Sequence, residues 1–279
     1  MKRSSTPFSL LGARRIAELF DRHGVRPKKS LGQNFVIDPN TIRKIVDIAG
    51  ITSSDDVLEI GAGAGSLTLG LAAAARSVTA LEFDRALIPV LEEVVTGLDN
   101  VAIMAGDALR LDLMDLPATK LVGNLPYNIA ATLVIKALAE APQIEALTVM
   151  TQLEVGERLA ASAGDEDYGV TSVMVAAFGK ARVAARVSRK AFYPEPNVDS
   201  VIVTIRRRAE PPGVDTQKLF EVIKAAFAQR RKTLRNNLAT LVGSTDRAET
   251  LLREAGVEPS VRAEQVDLEG FVRIAQQAG

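Results

Sequence analysis

The sequence predicts an α/β fold of the Rossmann-like type, with a mostly parallel seven-stranded sheet and a smaller C-terminal helical domain. Short apolar segments with the character of buried strands alternate with helical segments as far as Met150. Such βα repetition favours a parallel sheet with helices on both faces. Two later segments, residues 181–187 and 200–206, have the alternating pattern of strands and would close the sheet.

The chain divides by composition into three segments. Residues 9–23 have an amphipathic pattern, so residues 1–26 are predicted to be an N-terminal helical extension. Residues 27–210 hold the α/β domain, and the linker Pro211-Pro212-Gly213 leads into a helical domain over residues 211–279. With 279 residues, 47% of them hydrophobic, the chain can bury one full-sized core and a smaller second one.

Composition excludes several kinds of chemistry. The chain has no cysteine, which excludes disulfides, thiolate catalysis and cysteine-ligated zinc. Its single histidine, His23, precedes Gly24 at a predicted helix end, so we predict no metal site. Charged residues interrupt every apolar run before about 18 residues, and the N-terminus lacks the apolar stretch of a signal peptide. We therefore expect a cytoplasmic protein that does not bind membranes.

Charge is balanced overall but unevenly distributed along the chain. There are 34 basic and 34 acidic residues. Residues 1–30 hold eight basic against two acidic residues, residues 45–170 six against nineteen, and residues 180–240 fourteen against five. This distribution predicts a basic surface from the two ends of the chain beside an acidic body, which favours nucleic-acid binding. For any single run, a solvated helix face is the alternative.

Turn residues and periodicity place the remaining elements. Asp38-Pro39 is a helix start, an N-cap followed by proline at the first helical position, and that helix runs to Gly50. Strands follow over 56–60, 77–81, 101–104, 120–122 and 144–150, and helices over 66–75, 85–96, 129–139, 152–163 and 170–178. The prolines of residues 192–200 forbid regular structure and would fix a loop that carries aromatic rings.

Glycines follow the first of these strands. Gly61-Ala62-Gly63-Ala64-Gly65 joins residues 56–60 to a helix, so a ligand can approach the backbone where helix N–H groups face it. The pattern alone is weak, because dinucleotide-binding and methyltransferase folds share it and a tight turn is the alternative. Its spacing is G-x-G-x-G, unlike the G-x-G-x-x-G of most dinucleotide sites.

Acidic side chains follow the next two strands. Glu82 lies about 20 residues beyond the glycines, where a carboxylate accepts hydrogen bonds from ribose hydroxyls. Asp84 is predicted to cap the helix that follows. Asp107 follows the third strand, where it can accept from an adenine amino group or cap a turn. Together these residues predict a ligand that contains adenosine.

The fourth strand ends in Asn124-Leu125-Pro126-Tyr127. The Asn124 side-chain oxygen and the Leu125 carbonyl are both acceptors, and together they can hold the two hydrogens of one –NH2 group. Tyr127 offers a face on which a flat heterocycle can stack. The group suits the exocyclic amine of a nucleobase, whereas a proline-containing turn is the alternative for this stretch alone.

Five stretches in this order resemble the KsgA-type ribosomal RNA adenine dimethyltransferases. They are residues 29–35, 59–65, 124–127, 192–200 and 229–238. The resemblance implies a class I S-adenosylmethionine-dependent methyltransferase domain over 27–210 and a helical RNA-binding domain over 211–279. It also implies S-adenosylmethionine as the methyl donor, without a metal. The acceptor would be N6 of two adjacent adenosines in the 3′-terminal hairpin of small-subunit (16S) rRNA, each methylated twice.

The resemblance also implies roles for individual residues. Cofactor contacts would come from Asn34, Val36, Gly61, Gly63, Glu82, Asp107, Ala108 and Asn124. The catalytic residues would be Asn124, Leu125, Tyr127 and Phe192, with Tyr127 and Phe192 on the two sides of the target adenine. The basic runs supply the predicted RNA contacts, which are Lys28, Lys29, Arg230, Arg231, Lys232 and Arg235. Val36 stands where the family usually has leucine, and Tyr193 and Glu195 stand at variable positions and receive no role.

The expected partner is small-subunit rRNA, within a pre-assembled small ribosomal subunit, and the protein is expected to act as a monomer in ribosome biogenesis. Three alternatives stay open. One is a large-subunit rRNA adenine methyltransferase of the macrolide-resistance type. A second is an RNA-binding assembly factor in which methylation is secondary. The third is a DNA adenine methyltransferase, since these enzymes use a similar Asn/Asp-Pro-Pro-Tyr motif.

Overall fold

The computed structural model describes residues 10–278, and this part of the chain forms two compact units. The first takes the chain as far as Gly156 together with Arg182–Arg206, and the second takes Glu157–Ala181 and the chain from Arg207 onward. Within the second unit, the Tyr168 hydroxyl donates to the Val266 carbonyl at 2.8 Å. The units therefore differ from the contiguous segments 27–210 and 211–279, which stay predictions of domain organisation.

Nine strands are assigned within residues 10–278. They are β1 Phe35–Val36, β2 Asp56–Ile60, β3 Ser77–Glu82, β4 Val101–Ala105, β5 Lys120–Asn124, β6 Ala146–Gln152, β7 Gly179–Val187, β8 Phe192–Tyr193 and β9 Ser200–Arg207. Seven form one sheet in the order β4-β3-β2-β5-β6-β9-β7. The first five strands of this order, from β4 at the edge to β6, run parallel to one another. Strand β9 then pairs antiparallel with β6. The predicted seven-stranded, mostly parallel sheet is confirmed.

Eleven α-helices are assigned in the same part of the chain. They are α1 Ala13–His23, α2 Pro39–Ala49, α3 Ser66–Ala74, α4 Ile88–Val94, α5 Ala130–Glu140, α6 Leu153–Ala160, α7 Val170–Phe178, α8 Thr216–Ala226, α9 Leu234–Val242, α10 Thr245–Glu254 and α11 Leu268–Gln277. The helix predicted over 85–96 is a 3-10 turn followed by α4. Pro89 lacks the N–H that would bond back to Arg85, so a regular helix cannot run through this point.

The start of α2 follows the prediction from its sequence. The Asp38 carboxylate accepts hydrogen bonds from the backbone N–H groups of Asn40 and Thr41, and Gly50 ends the helix in the left-handed conformation. Helix α1 begins at Ala13, four residues later than its pattern suggested, and residue 9 lies outside the described residues. Helices α2 and α3 then pack on the sheet through apolar side chains, and burial of each such side chain stabilises the fold by about 1.5–3 kcal/mol. The buried side chains of the helices and the sheet include Ile42, Ile45, Leu71, Val122 and Ile202.

A second, two-stranded sheet was not predicted. Strand β1 pairs with β8, with Phe35 opposite Tyr193 and Val36 opposite Phe192, and Ile37 N–H continues the ladder to the Ala191 carbonyl at 2.9 Å. The prediction that the prolines exclude regular structure from residues 192–200 was wrong at its first two residues. Both precede the first proline of the loop and so keep the N–H groups that a ladder requires.

The second unit is helical, apart from residues 179–181 at the start of β7 and Arg207 at the end of β9. Its core contains the rings of Tyr168, Phe227 and Phe271, whose centroids are 6.1 Å and 5.8 Å apart in successive pairs. In the basic run that starts at Gln229, Arg230, Arg231 and Lys232 lie in the turn between α8 and α9, whereas Arg235 lies in α9. None of the helices between residues 10 and 278 is both long and apolar enough to cross a membrane.

Candidate active site

A cavity of about 260 Å³ lies at the carboxyl ends of β2, β3, β4 and β5. In an open α/β sheet this edge is where ligands bind. Nine residues predicted from the sequence line it, namely Asn34, Gly61, Gly63, Glu82, Asp107, Ala108, Asn124, Leu125 and Tyr127. Val36 and Phe192 are absent from the lining. They are 5% and 3% exposed, face each other across β1 and β8, and belong to the apolar core.

The glycine loop forms one wall of the cavity. Gly63 has φ 57°, in the left-handed region, and a Cβ built there would lie 3.1 Å from the ring of Phe35. Its N–H donates to Glu82 Oε2 at 2.7 Å. A side chain at this position would therefore strain the backbone and press on the Phe35 ring.

Glu82 is the buried carboxylate of the site. Oε2 accepts from Gly63 N–H and Oε1 accepts from Asp84 N–H, each at 2.7 Å, and the residue is 6% exposed. Burial raises the pKa of Glu82 above its ordinary value, although these backbone hydrogen bonds oppose the shift. A carboxylate has about four lone-pair positions, so Glu82 can still accept from two ligand hydroxyls.

Asp84 anchors the loop before β1. It caps the following turn through Ala86 N–H, as predicted, and also accepts from Lys28 Nζ and Gln33 Nε2, each at 2.8 Å. Burial acts to raise the pKa of Asp84, but the hydrogen bonds from Lys28 and Gln33 hold it below the ordinary value. The Lys28 ammonium, predicted to contact RNA, therefore makes an ion pair that ties down a wall of the cavity.

Asn124 is the last residue of β5, and its amide is oriented by the loop. Nδ2 donates to the Asn34 carbonyl at 2.8 Å. No described residue donates to Oδ1 of Asn124, so that acceptor is left for a ligand. The residue before it has to be glycine, because a Cβ on Gly123 would lie 2.6 Å from the Ile60 carbonyl oxygen. Close contact between β5 and β2 thus places the amide beside the glycine loop.

The turn after β5 leaves the Leu125 carbonyl without a hydrogen-bond partner among the described residues and holds the Tyr127 ring in place. Leu125 N–H donates to the Met150 carbonyl at 3.0 Å, and the Pro126 carbonyl accepts from Ile129 and Ala130 at the start of α5. The Leu125 carbonyl accepts no hydrogen bond from the described residues. The Tyr127 hydroxyl lies 2.8 Å from Ser200 Oγ, and burial raises the pKa of Tyr127.

Asp107 both caps a turn and lines the cavity. Oδ1 accepts from Leu109 N–H at 3.0 Å, and Oδ2 lies 3.5 Å from Arg110 Nε. Residues 10–278 contain no group of three or more histidine, aspartate or glutamate side chains that could hold a metal ion.

Two aromatic residues of the cavity had no role in the sequence interpretation. Phe35 lines it and packs edge-to-face on Phe20, with ring centroids 4.9 Å apart. Phe83 follows Glu82 directly and is 57% exposed at the cavity. An aromatic residue immediately after a strand-end carboxylate was the available signal for Phe83. Phe35 had none beyond its place in the first motif.

The predicted RNA contacts differ in their surroundings. Lys29, Arg231 and Lys232 are exposed. Arg230 is also exposed, with Nε 4.0 Å from Glu264 Oε2. Arg235 Nη1 donates to Glu249 Oε2 at 2.7 Å and is only partly exposed, so this side chain has a structural partner within its own unit.

The sheet order and the cavity at its carboxyl edge define a class I S-adenosylmethionine-dependent methyltransferase, and the predicted fold class is confirmed. The chain belongs to the family described as ribosomal RNA adenine dimethylase, whose model matches residues 24–278. The resemblance inferred from the motifs is therefore correct.

Individual relatives agree with this assignment. The chain is 47% identical to ribosomal RNA small subunit methyltransferase A of Nocardia farcinica, over 97% of this chain and 96% of that protein. Among solved structures it is similar to a dimethyladenosine transferase from Plasmodium falciparum, with TM-score 0.76 and 26% identity over 86% of this chain and 95% of that one. It is also similar to the 23S rRNA methyltransferase ErmE, with TM-score 0.68 and 31% identity over 88% and 99% of the two chains.

Proposed function

We propose that this protein transfers methyl groups from S-adenosylmethionine to N6 of two adjacent adenosines in the 3′-terminal hairpin of small-subunit rRNA. The observation that carries the proposal is the Asn124 amide, held by the Asn34 carbonyl so that its oxygen is available in the cavity. Identity to a small-subunit relative, 47%, exceeds that to the large-subunit enzyme, 31%, which favours the small-subunit substrate. The protein would act as a cytoplasmic monomer on a pre-assembled small subunit.

The cavity fits an adenosine-containing methyl donor. Glu82 offers lone pairs for the ribose hydroxyls, Phe83 an exposed ring, and Asp107 a carboxylate on the neighbouring strand end. The glycine loop has no Cβ at Gly61 and Gly63, where a side chain would narrow the site. When bound, S-adenosylmethionine supplies a methyl group on a positively charged sulfur, so the protein itself need not provide a nucleophile or a metal.

The acceptor nitrogen requires activation, because its lone pair is delocalised into the adenine ring. Asn124 Oδ1 and the Leu125 carbonyl would accept its two N–H hydrogens and favour a pyramidal nitrogen with a localised lone pair. Holding the reacting atoms in this orientation can lower the barrier by about 7–11 kcal/mol. After the first transfer the monomethylated nitrogen has to turn, so the site needs room for a methyl group.

Aromatic stacking would compensate for taking the base out of its helix, which costs a few kcal/mol. Tyr127 supplies one face, and its ring is oriented by Ser200. Phe192 is the proposed second face. Because Phe192 is 3% exposed, entry of the base has to uncover this ring.

Replacement of Glu82 by Gln is expected to weaken cofactor binding by about 10- to 100-fold, the range for lost hydrogen bonds to a charged group. Both carboxylate oxygens accept from backbone N–H groups, so the –NH2 of glutamine would face a donor in either orientation. Titration with S-adenosylhomocysteine by calorimetry measures the effect. Exposed Glu145 provides the control Glu145→Gln; equal affinities of all three proteins would exclude Glu82 from the site.

Reversal of three charges in the turn after α8 is expected to weaken RNA binding and reduce its salt dependence. Arg230, Arg231 and Lys232 are exposed there, and each lost phosphate contact should reduce the slope of log K against log salt by about 1. Lys224→Glu, an exposed charge reversal on α8, is the matched control. An unchanged slope in the triple variant would assign these residues to a solvated surface.

The proposed reaction is tested with undermethylated small subunits and labelled S-adenosylmethionine. The product should be dimethyladenosine at two adjacent positions near the 3′ end of the rRNA, mapped by mass. Label found only in large-subunit rRNA or in duplex DNA would replace the proposal by one of its alternatives. Unmodified RNA, bound tightly, would favour the assembly-factor role.

A further inference from the structure

Strand β8 turns its two aromatic residues to opposite sides. Phe192 is 3% exposed in the apolar core, whereas the next residue, Tyr193, is 49% exposed. This alternation follows from the two-residue period of a strand. A large aromatic ring that stays half-exposed contributes little to the stability of the fold. Exposed apolar surface of this kind is typical of a binding site.

The exposed ring lies opposite a residue that lines the active-site cavity. Tyr193 is the cross-strand partner of Phe35, which lines the cavity and follows Asn34, the residue that orients Asn124. The loop that continues from Tyr193 leads to Ser200, the partner of the Tyr127 hydroxyl. Tyr193 is therefore connected, through two short backbone paths, to both groups proposed to hold the target base.

The turn before Tyr193 is held by hydrogen bonds and carries two exposed cationic side chains, one of which is ion-paired. Arg189 N–H donates to Asp199 Oδ1 at 2.9 Å, and Arg189 Nε lies 2.9 Å from Glu195 Oε1 across the loop. Lys190 is exposed on the same turn. An exposed aromatic ring next to an exposed lysine is a combination with which proteins bind single-stranded nucleic acid.

We propose that Tyr193 is a stacking platform for the nucleotide next to the target adenosine. This inference rests on the proposed function, because it needs an RNA base in the cavity. When one base leaves a stack, its neighbour loses a stacking partner, and contacts to flanking nucleotides then set which base is extracted. The Tyr193 ring replaces the lost partner, and Lys190 is placed to contact the adjoining phosphate.

The test compares ring with no ring at one position. Tyr193→Ala and Tyr193→Leu are expected to raise KM for undermethylated small subunits about tenfold or more, in line with loss of base stacking. Tyr193→Phe keeps the face and should behave as wild type. The rate constant kcat and the affinity for S-adenosylhomocysteine should change little in all three, since Tyr193 contacts neither the reacting atoms nor the cofactor.

The control is Met114→Ala, which removes another exposed apolar side chain. Met114 is 57% exposed in the connection between β4 and β5, where Gln143, just before β6, donates to its carbonyl. Tyr193→Leu with a wild-type KM, while methylation proceeds, would overturn the platform and leave the proposed function intact. Absence of methylation by the wild-type protein would instead remove the proposed function. An equal rise in KM in Tyr193→Phe and Tyr193→Ala would also overturn the platform, because it would mean that Tyr193 acts in folding of the loop.

Discussion

Asn124→Ala is expected to lower the rate of methyl transfer by at least about 10²–10³-fold, the range for removing one pre-oriented polar group from a transition state. The change deletes the acceptor Oδ1 that would hold N6–H of the target base. It also deletes the donor Nδ2 to the Asn34 carbonyl, so the loop before β1 loses one of its contacts. Single-turnover transfer of labelled methyl groups to undermethylated small subunits measures the rate.

Binding measurements separate this chemical role from a structural one. The affinity of Asn124→Ala for RNA should stay close to that of wild type, because phosphate contacts supply most of it. Asn40→Ala removes an exposed asparagine at the start of α2 and serves as the control for loss of an amide. Wild-type turnover in Asn124→Ala would exclude the proposed mechanism. A rate lost in parallel with RNA affinity would show that the amide acts in binding rather than in transfer.

The parts of the site that could be predicted from the sequence depend on local signals. The start of α2 is set by an N-cap and a proline in adjacent positions. The glycines after β2 and the carboxylate at the end of β3 lie within 25 residues of each other. The polar turn after β5 is also a local feature. Because parallel strands end at one edge of a sheet, the prediction of a mostly parallel sheet was enough to bring these residues into one cavity.

The parts that could not be predicted depend on contacts between distant segments. Nothing near Phe35 indicates that it pairs with Tyr193, 158 positions later, and two-residue strands have no period to detect. Asp84 was correctly predicted to cap a helix, but its ion pair with Lys28 depends on how the preceding loop folds. The buried position of Phe192 likewise comes from the β1–β8 pairing. The function could be predicted from the sequence because its motifs are local. The surroundings of Lys28, Tyr193 and Phe192 depend on distant segments and are visible only in the structure.

Glu59 is a buried carboxyl group of β2 that the proposed mechanism does not use. It is 1% exposed, Oε2 accepts from the Thr68 hydroxyl at 2.6 Å, and Oε1 has no partner among the described residues. Burial raises the pKa of Glu59 to about 8, against the effect of Thr68, and the charge of Glu82 adds to the increase. The folded protein therefore keeps a proton on Glu59 at neutral pH, whereas the unfolded chain releases it near its ordinary value of 4.5.

The sign of the pH dependence follows from proton binding. Between pH 4.5 and 8 the folded state binds more protons at Glu59 than the unfolded state, so the free energy of unfolding falls as pH rises through this range. Above pH 8 both states are ionised at this residue and its contribution stays constant. At about 1.4 kcal/mol per pKa unit, the decrease is on the order of 5 kcal/mol.

Glu59→Gln is expected to remove this decrease, because glutamine keeps the shape and cannot ionise. The stability of the variant relative to wild type should therefore increase by several kcal/mol between pH 5 and pH 8. Urea unfolding at steps of one pH unit gives the free energy of unfolding against pH for wild type and for Glu59→Gln. Amide exchange of β2 adds a local measurement. Exposed Glu145→Gln, whose curve should run parallel to wild type, is the control. A parallel curve for Glu59→Gln as well would mean that Glu59 is ionised in the folded protein, with its charge balanced by a group or water that reaches Oε1.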